Sequence, residues 1–312
     1  MKIGITGASG FLGSYLLRYL VNLKKYRLYA LTRTVSSEKI NNDDNVVWIK
    51  GDLNSPQDCL DFVQNLDLII HLAHTNSPLT SNRDISSDAL LNLIPTLNLL
   101  QAIRDCKTIP HLIYASSGGA VYKPCNIRKP FKESDSCEPS SSYGIQKITV
   151  EQYLRMGSEQ GWLSATSLRI GNPYGILLPS QRMQGLIGVV LNQLLHQQPV
   201  KIYGDPNNVR DYIHLEDMCR IVELVINQPS TFEIYNVGSG QGYSVSQILD
   251  LIEKFTGLLM VKEIGQTTGG TKQLPSWTVL DITKAYQNLA WQPIIEFEQG
   301  LKTLCEQTLC KK

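Results

Sequence analysis

The chain has 312 residues, 42% of them hydrophobic and 18% charged, with a formal net charge of +1. That length supplies one large core or two unequal lobes, and the balanced charge excludes a bulk field suited to nucleic acid or an anionic membrane. No run of about eighteen apolar residues marks a membrane span, and the N-terminus lacks the apolar stretch of a secretory signal, so a cytoplasmic protein is expected.

The first half alternates strand and helix. Lys2–Thr6 reads as a strand ending at Gly7, and Phe11–Leu23 carries apolar residues at helical spacing. Arg27–Leu31 and Val46–Ile49 read as strands. Ser55-Pro56 is a helix start, with a capping serine followed by proline at the first helical position. Leu66–Leu72 is a nearly continuous apolar run, as in a strand covered on both faces. Asp88–Cys106 reads as a long helix that Pro95 should kink. His111–Ser117 is the next strand, Lys123–Ser142 a loop, Tyr143–Gln160 a helix and Leu163–Ile170 a strand. Beyond Gly171 the pattern loosens. Helices are expected at Gln184–His196, Leu215–Ile226, Ser244–Phe255, Ile282–Leu289 and Glu296–Cys310, with strands at Val200–Tyr203, Asp211–Ile213 and Phe232–Val237.

Such repetition predicts a doubly wound parallel α/β sheet of the Rossmann type, with a smaller C-terminal α/β lobe. Residues 1–171 are expected to form the dinucleotide-binding domain, with 210–238 returning to it, and 172–312 to supply most of a substrate-binding lobe. Ligands on such sheets bind beyond the carboxyl ends of the strands, which sets Gly7, Asp52, His71, Ser116 and Ile170 along one rim. The seven cysteines form no C-x-x-C pair and read as reduced thiols. His71 and His74 have no third ligand nearby in sequence, so no metal is expected.

Gly7, Gly10 and Gly13 form a G-x-x-G-x-x-G loop that follows a strand and opens a helix. Glycine lets the backbone turn sharply and approach a pyrophosphate, while the helix N-terminus offers free N–H groups. Asp52, after the third strand, suits the adenine amine, and nearby helix capping is the competing use. The second strand ends in Leu31-Thr32-Arg33 rather than in the acidic residue that commonly holds the NAD ribose. Arg33 can pair with the 2′-phosphate of NADP or simply face solvent, so NAD and NADP both stay open.

Tyr143 and Lys147 make a Y-x-x-x-K pair, which a helix places on one face. A lysine beside the phenol is expected to lower the tyrosine pKa from about 10 toward neutrality. Tyr143 can then take a proton from a sugar hydroxyl while hydride leaves for a nicotinamide.

Together these segments resemble the extended short-chain dehydrogenase/reductase family of nucleotide-sugar epimerases, dehydratases and reductases, nearest its UDP-glucose 4-epimerase-like members. The resemblance rests on Gly7–Gly13, Asp52-Leu53, His71-Leu72-Ala73, Asn92, Ser116–Tyr122, Tyr143–Lys147, Arg169–Gly175, Arg210–Asp217 and Tyr235–Gly240. It implies that Phe11, Leu12, Asp52, Leu53, Leu72, Ala73, Tyr143 and Lys147 touch the cofactor, and that Asn172 and Arg210 touch the diphosphate of a nucleotide-sugar. It also implies a homodimer built on the helices Asp88–Cys106 and Tyr143–Gln160, and a role in polysaccharide biosynthesis.

Three departures matter. Gly118 stands where the family usually carries its catalytic serine or threonine, leaving Ser117 as the substitute donor if it sits past the strand end. Gly119-Ala120 replaces the Asp-Glu pair with which 4,6-dehydratases move protons, so dehydration ranks low. His74 and Pro95 replace an alanine and a glycine common at those places. The expected activity is 4-epimerisation of a UDP-hexose or UDP-N-acetylhexosamine with bound NAD. An NADP-dependent 4-ketoreductase is the alternative, and a non-catalytic NAD(P)H sensor the alternative of another class.

Overall fold

Apolar runs covered on both faces become parallel strands, and the amphipathic segments between them become the covering helices. The computed structural model describes residues 1–34, 45–75, 80–124, 127–177, 185–265 and 276–310. Its first elements are β1 (Lys2–Thr6), α1 (Phe11–Leu23), β2 (Arg27–Thr32), β3 (Val46–Lys50), α2 (Pro56–Val63) and β4 (Leu68–His71). Next come α3 (Ile85–Asp88), a π-turn (Ala89–Leu93), α4 (Ile94–Asp105), β5 (His111–Ser117), α5 (Ser142–Glu159), β6 (Ser164–Ile170) and β7 (Asn172–Tyr174). Then follow α6 (Leu186–Leu195), β8 (Val200–Tyr203), β9 (Val209–His214), α7 (Leu215–Asn227), β10 (Phe232–Val237) and β11 (Gly242–Ser244). The chain closes with α8 (Val245–Thr256), β12 (Lys262–Gly265), β13 (Trp277–Thr278), α9 (Thr283–Leu289) and α10 (Phe297–Leu309).

Seven parallel strands form one sheet in the order β10-β6-β5-β4-β1-β2-β3. Successive strands run outward from β1 on one side and from β4 on the other, so a crevice opens between their carboxyl ends. One face is covered by α1 and α7, whose Leu16, Leu20, Met218 and Val222 pack on Ile3, Ile5 and Leu28. The other is covered by α2, α4 and α5, through Phe62, Leu99, Ile103 and Leu154. This is the doubly wound Rossmann architecture that the sequence pattern predicts.

A second body carries a four-stranded sheet of β11, β9, β13 and β7, and the separate pair β8–β12. Its core joins α6, α8 and α10 through Ile187, Leu191, Ile248, Ile252, Phe297 and Leu301. Between its segments the chain returns to the large sheet, where β10 pairs with β6. No described helix is long and apolar enough to cross a membrane.

The expected long helix Asp88–Cys106 is in fact three pieces. Pro95 is the second residue of α4 and follows the π-turn directly. Proline offers no N–H to the ladder and crowds the carbonyl four residues back, here Leu91, and the widened π-turn accommodates both effects while the backbone at Leu93 and Ile94 stays right-handed helical. The strands β7, β11, β12 and β13 go beyond the expected elements, because two to four residues are too few to show alternation.

Candidate active site

The glycine loop builds a cradle at the carboxyl end of β1. Gly7 has φ +72°, and a Cβ there would lie 2.7 Å from the Ala73 nitrogen. A Cβ on Gly13 would collide with the Gly7 carbonyl oxygen. Both positions therefore need glycine, and the turn is closed by the Gly10 amide donating to Gly7 at 2.9 Å. Gly10 then caps α1 with no side-chain acceptor, so the amides of Phe11 and Leu12 at the helix start stay available. Leu72 and Ala73 lie against the same turn, through the Leu72 amide bonded to Thr6 and the Ala73 approach to Gly7.

At the end of β3, Oδ1 of Asp52 accepts from the backbone and side-chain amides of Asn54 at 2.9 and 3.0 Å. No described residue engages the other carboxylate oxygen. Leu53 is buried against α4, its carbonyl accepting from Asn98 at 3.0 Å. Arg33 is exposed just beyond β2 and forms no ion pair among the described residues. The cradle, the uncapped helix and the half-used Asp52 fit a dinucleotide.

Helix α5 brings Tyr143 and Lys147 to the end of β5. The Lys147 ammonium donates to the Ala115 carbonyl at 2.7 Å and lies 5.4 Å from the Tyr143 ring centre. Ser117, the last residue of β5, lies close enough to the Tyr143 hydroxyl to hold its pKa down. It faces the phenol from within the strand, because the preceding Ser116 points the other way and donates to Glu151 at 2.6 Å.

Gly118 has no room for a side chain. A Cβ there would fall 2.5 Å from Leu280 and 3.0 Å from the Arg169 carbonyl. The hydroxyl facing the phenol thus comes from Ser117.

The electrostatics correct one expectation. Burial raises the Tyr143 pKa to about 12, and the nearby Ser117 side chain offsets only part of this. Burial lowers Lys147 to about 7, opposed by the charge of Glu151. Desolvation therefore decides the balance, and the phenol holds its proton at neutral pH instead of shifting toward neutrality.

The start of α5 is held from outside the helix. Asn82 accepts from the Ser142 amide at 2.8 Å, and Ser81 accepts from the Tyr143 amide at 3.2 Å. Below it, Asp88 accepts from Ser142, Gln146 and Asn92 at 2.6, 2.6 and 2.9 Å. A buried chain continues from Asn92 through Thr96 to His71, and His71 bonds Thr6 beside the glycine loop at 2.7 Å. Glu151, two helical turns from Tyr143, forms a buried ion pair with Arg169 at 2.7 Å. Sequence reasoning missed Ser81, Asn82, Asp88 and Glu151. Only Glu151 left a trace, its spacing of four residues from Lys147.

In the four-stranded sheet, Arg210 of β9 is half-buried and donates to the Val209 carbonyl at 2.7 Å. No carboxylate among the described residues pairs with it. Asp211 instead accepts from Ser239, Gly240 and Leu280, and Asp217 from Arg220, Ile294 and Ile295. Burial lowers the Arg210 pKa, as expected of a cation that lacks a partner. Asn172 sits beside it, donating to the Asp211 carbonyl at 3.1 Å. The sequence offers Gln181–Gly185 and Lys272–Trp277 as the stretches around the sugar that set N-acetyl tolerance, and of these, residues 181–184 and 272–275 lie outside the described residues.

The model of the NAD dependent epimerase/dehydratase family matches residues 3–238, and the chain belongs to that family. It is 29% identical over 319 residues to a dTDP-4-dehydro-6-deoxyglucose reductase of Escherichia coli, covering 98% of this chain and 97% of the relative. A UDP-glucose 4-epimerase from Thermotoga maritima, solved with UDP-glucose, superposes with TM-score 0.88 at 28% identity, covering 100% and 99% of the two chains. A UDP-glucose 4-epimerase of Thermus thermophilus, solved with NAD, gives 0.87 at 26% identity, covering 99% of each.

Proposed function

We propose that this member of the NAD dependent epimerase/dehydratase family is a nucleotide-sugar 4-epimerase. Its substrate is a UDP-hexose or UDP-N-acetylhexosamine, and its cofactor is NAD. The observation that carries this reading is the buried Tyr143 phenol, held between Ser117 and Lys147 at the rim where the Gly7–Gly13 cradle opens.

A bound NAD supplies an acceptor and then a donor of hydride at C4. The positive charge of a bound oxidised nicotinamide would favour the phenolate of Tyr143, and in that form the phenolate oxygen would take the proton of the C4 hydroxyl and, as phenol, give it back to the C4 oxygen. The Ser117 hydroxyl shares that oxygen and orients it. Lys147 steadies the phenolate whenever it forms. Nothing is consumed, so no outside oxidant or reductant is needed.

Arg210, a half-buried guanidinium with no carboxylate partner among the described residues, takes the diphosphate, with Asn172 beside it. Residues 1–171 with 210–238 serve as the cofactor domain, and most of 172–312 as the lobe that closes on the nucleotide.

Two observations favour a second reading, an NADP-dependent 4-ketoreductase. Arg33 stands exposed at the end of β2, where it can meet a 2′-phosphate, and the relative from Escherichia coli is a reductase by name.

Incubation of the purified protein with UDP-glucose and UDP-N-acetylglucosamine separates the readings. A 4-epimer formed without added reductant supports epimerisation. Consumption of NADPH with a nucleotide 4-keto sugar supports the reductase. A protein that binds dinucleotide but turns over no sugar is a sensor, and one that binds no dinucleotide ends all three readings.

A further inference from the structure

Among the described residues, His74 is the histidine whose buried ring nitrogen is left unsatisfied. The chain has five histidines. His71 bonds the hydroxyls of Thr6 and Thr96, and His111 those of Ser164 and Thr166, so both ring nitrogens of each are used. The Nε2 of His74 is equally inaccessible to solvent, yet it has no hydrogen-bond partner among the described residues. Buried polar atoms in folded proteins are almost always paired, so an orphan at a rim marks a place for a ligand group.

The surroundings say which ligand. On one side, the Ala73 nitrogen just before His74 lies against the turn at Gly7. On the other, the His74 ring meets the Tyr143 ring edge-on, with centroids 4.8 Å apart at 86°. His74 thus bridges the pyrophosphate cradle and the reacting phenol. Whatever occupies that interval lies beyond the pyrophosphate and short of the sugar. In a dinucleotide this is the ribose on the nicotinamide side.

We propose that His74 binds that ribose, offering Nε2 to one of its hydroxyls, and so sets how the nicotinamide end sits beside Tyr143. A hydroxyl can donate or accept, and so fits either tautomer of a neutral imidazole. Burial, with Lys147 nearby, keeps the ring neutral by pushing its pKa down to about 2. The inference rests on the dinucleotide reading of the cradle.

The test is calorimetric titration of the full chain with NAD and, separately, with ADP, which carries the adenosine and pyrophosphate but lacks the second ribose. His74→Ala and His74→Phe are both expected to weaken NAD about fivefold to tenfold and to leave ADP unchanged. The phenylalanine keeps the packing on Tyr143 and removes only the nitrogens. Unchanged NAD affinity in either variant overturns the proposal. ADP affinity also reports folding.

A measurement on the unaltered protein stands beside it. The His74 Nε2 resonance, identified by its absence from the phenylalanine variant, should move on addition of NAD and not of ADP. A resonance that NAD leaves in place overturns the proposal as well. A wild-type protein that binds neither nucleotide instead removes the dinucleotide reading itself.

Discussion

Lys147 is anchored 2.7 Å from the carbonyl of Ala115 and stands 5.4 Å from the centre of the Tyr143 ring. A central strand of the sheet therefore fixes the cation, and the helix fixes the phenol relative to it. Burial draws water away from both groups and disfavours the charged form of each, so their pKa values move apart: the phenol rises to about 12 and the ammonium falls to about 7.

Tyr143→Phe removes the group that exchanges a proton with the substrate. Turnover of the true substrate should fall by about 10² to 10⁴, with NAD affinity kept. The phenol's own titration is readable as the difference in absorbance near 295 nm between wild type and variant. In ligand-free protein that difference should not develop until the pH exceeds the ordinary value of about 10. Ionisation near neutrality would contradict the burial argument.

Lys147→Met tests the same burial through stability. Between pH 7 and 10.5 the unfolded chain binds a proton at this residue that the folded chain has lost. The lysine's contribution to stability therefore rises with pH across that window. The stability of the variant minus that of wild type should shrink from pH 7 to 9.5 in urea unfolding. A difference that grows with pH would refute the assignment.

Gly118 and Leu280 compete for one space. Gly118→Ser should cost about 1–3 kcal/mol by overpacking, and Leu280→Ala in the same chain should relieve part of that cost. Ser117→Ala should leave stability near wild type and lower kcat about a hundredfold. Denaturant midpoints and initial rates distinguish the two effects.

Arg210→Met should weaken UDP and UDP-sugars about tenfold to a hundredfold while leaving uridine and NAD unaffected. If uridine binding fell equally, Arg210 would be holding the base side or the fold rather than the diphosphate. Fluorescence or calorimetric titration of the ligands decides this.

An apolar face remains on the outside of α5 and of the π-turn region. Ile145, Tyr153 and Met156 follow helical spacing on the first, and Leu90, Leu91 and Ile94 lie on the second, all six exposed. We propose that a second copy covers this face, pairing two helices from each subunit. Ile145→Arg with Met156→Arg should turn the dimer into a monomer in sedimentation. A wild-type protein that sediments as a monomer at micromolar concentration would exclude the pairing.

Much of this protein could be read along the chain. Strands β1 to β6 and β10, and the helices between them, announce themselves by apolar runs and helical spacing. The glycine loop and the Tyr143–Lys147 pair are short-range patterns, in which backbone geometry alone sets what sits beside what. Local spacing likewise placed Ser55 as the cap of α2, where it accepts from the Asp58 amide.

What spacing cannot carry is a contact between distant segments, or the dielectric of the place where they meet. Leu280 closes the space at Gly118 from 162 residues away, and Ser81 and Asn82 cap a helix some 60 residues later. The same holds for the protonation of Tyr143. Its neighbour four residues on argued for a lowered pKa, but the packing of β5, α5 and the surrounding loops removes water from both groups and reverses the sign. Sequence fixes which charges are neighbours on a helix, whereas only the folded chain determines how much solvent is left between them.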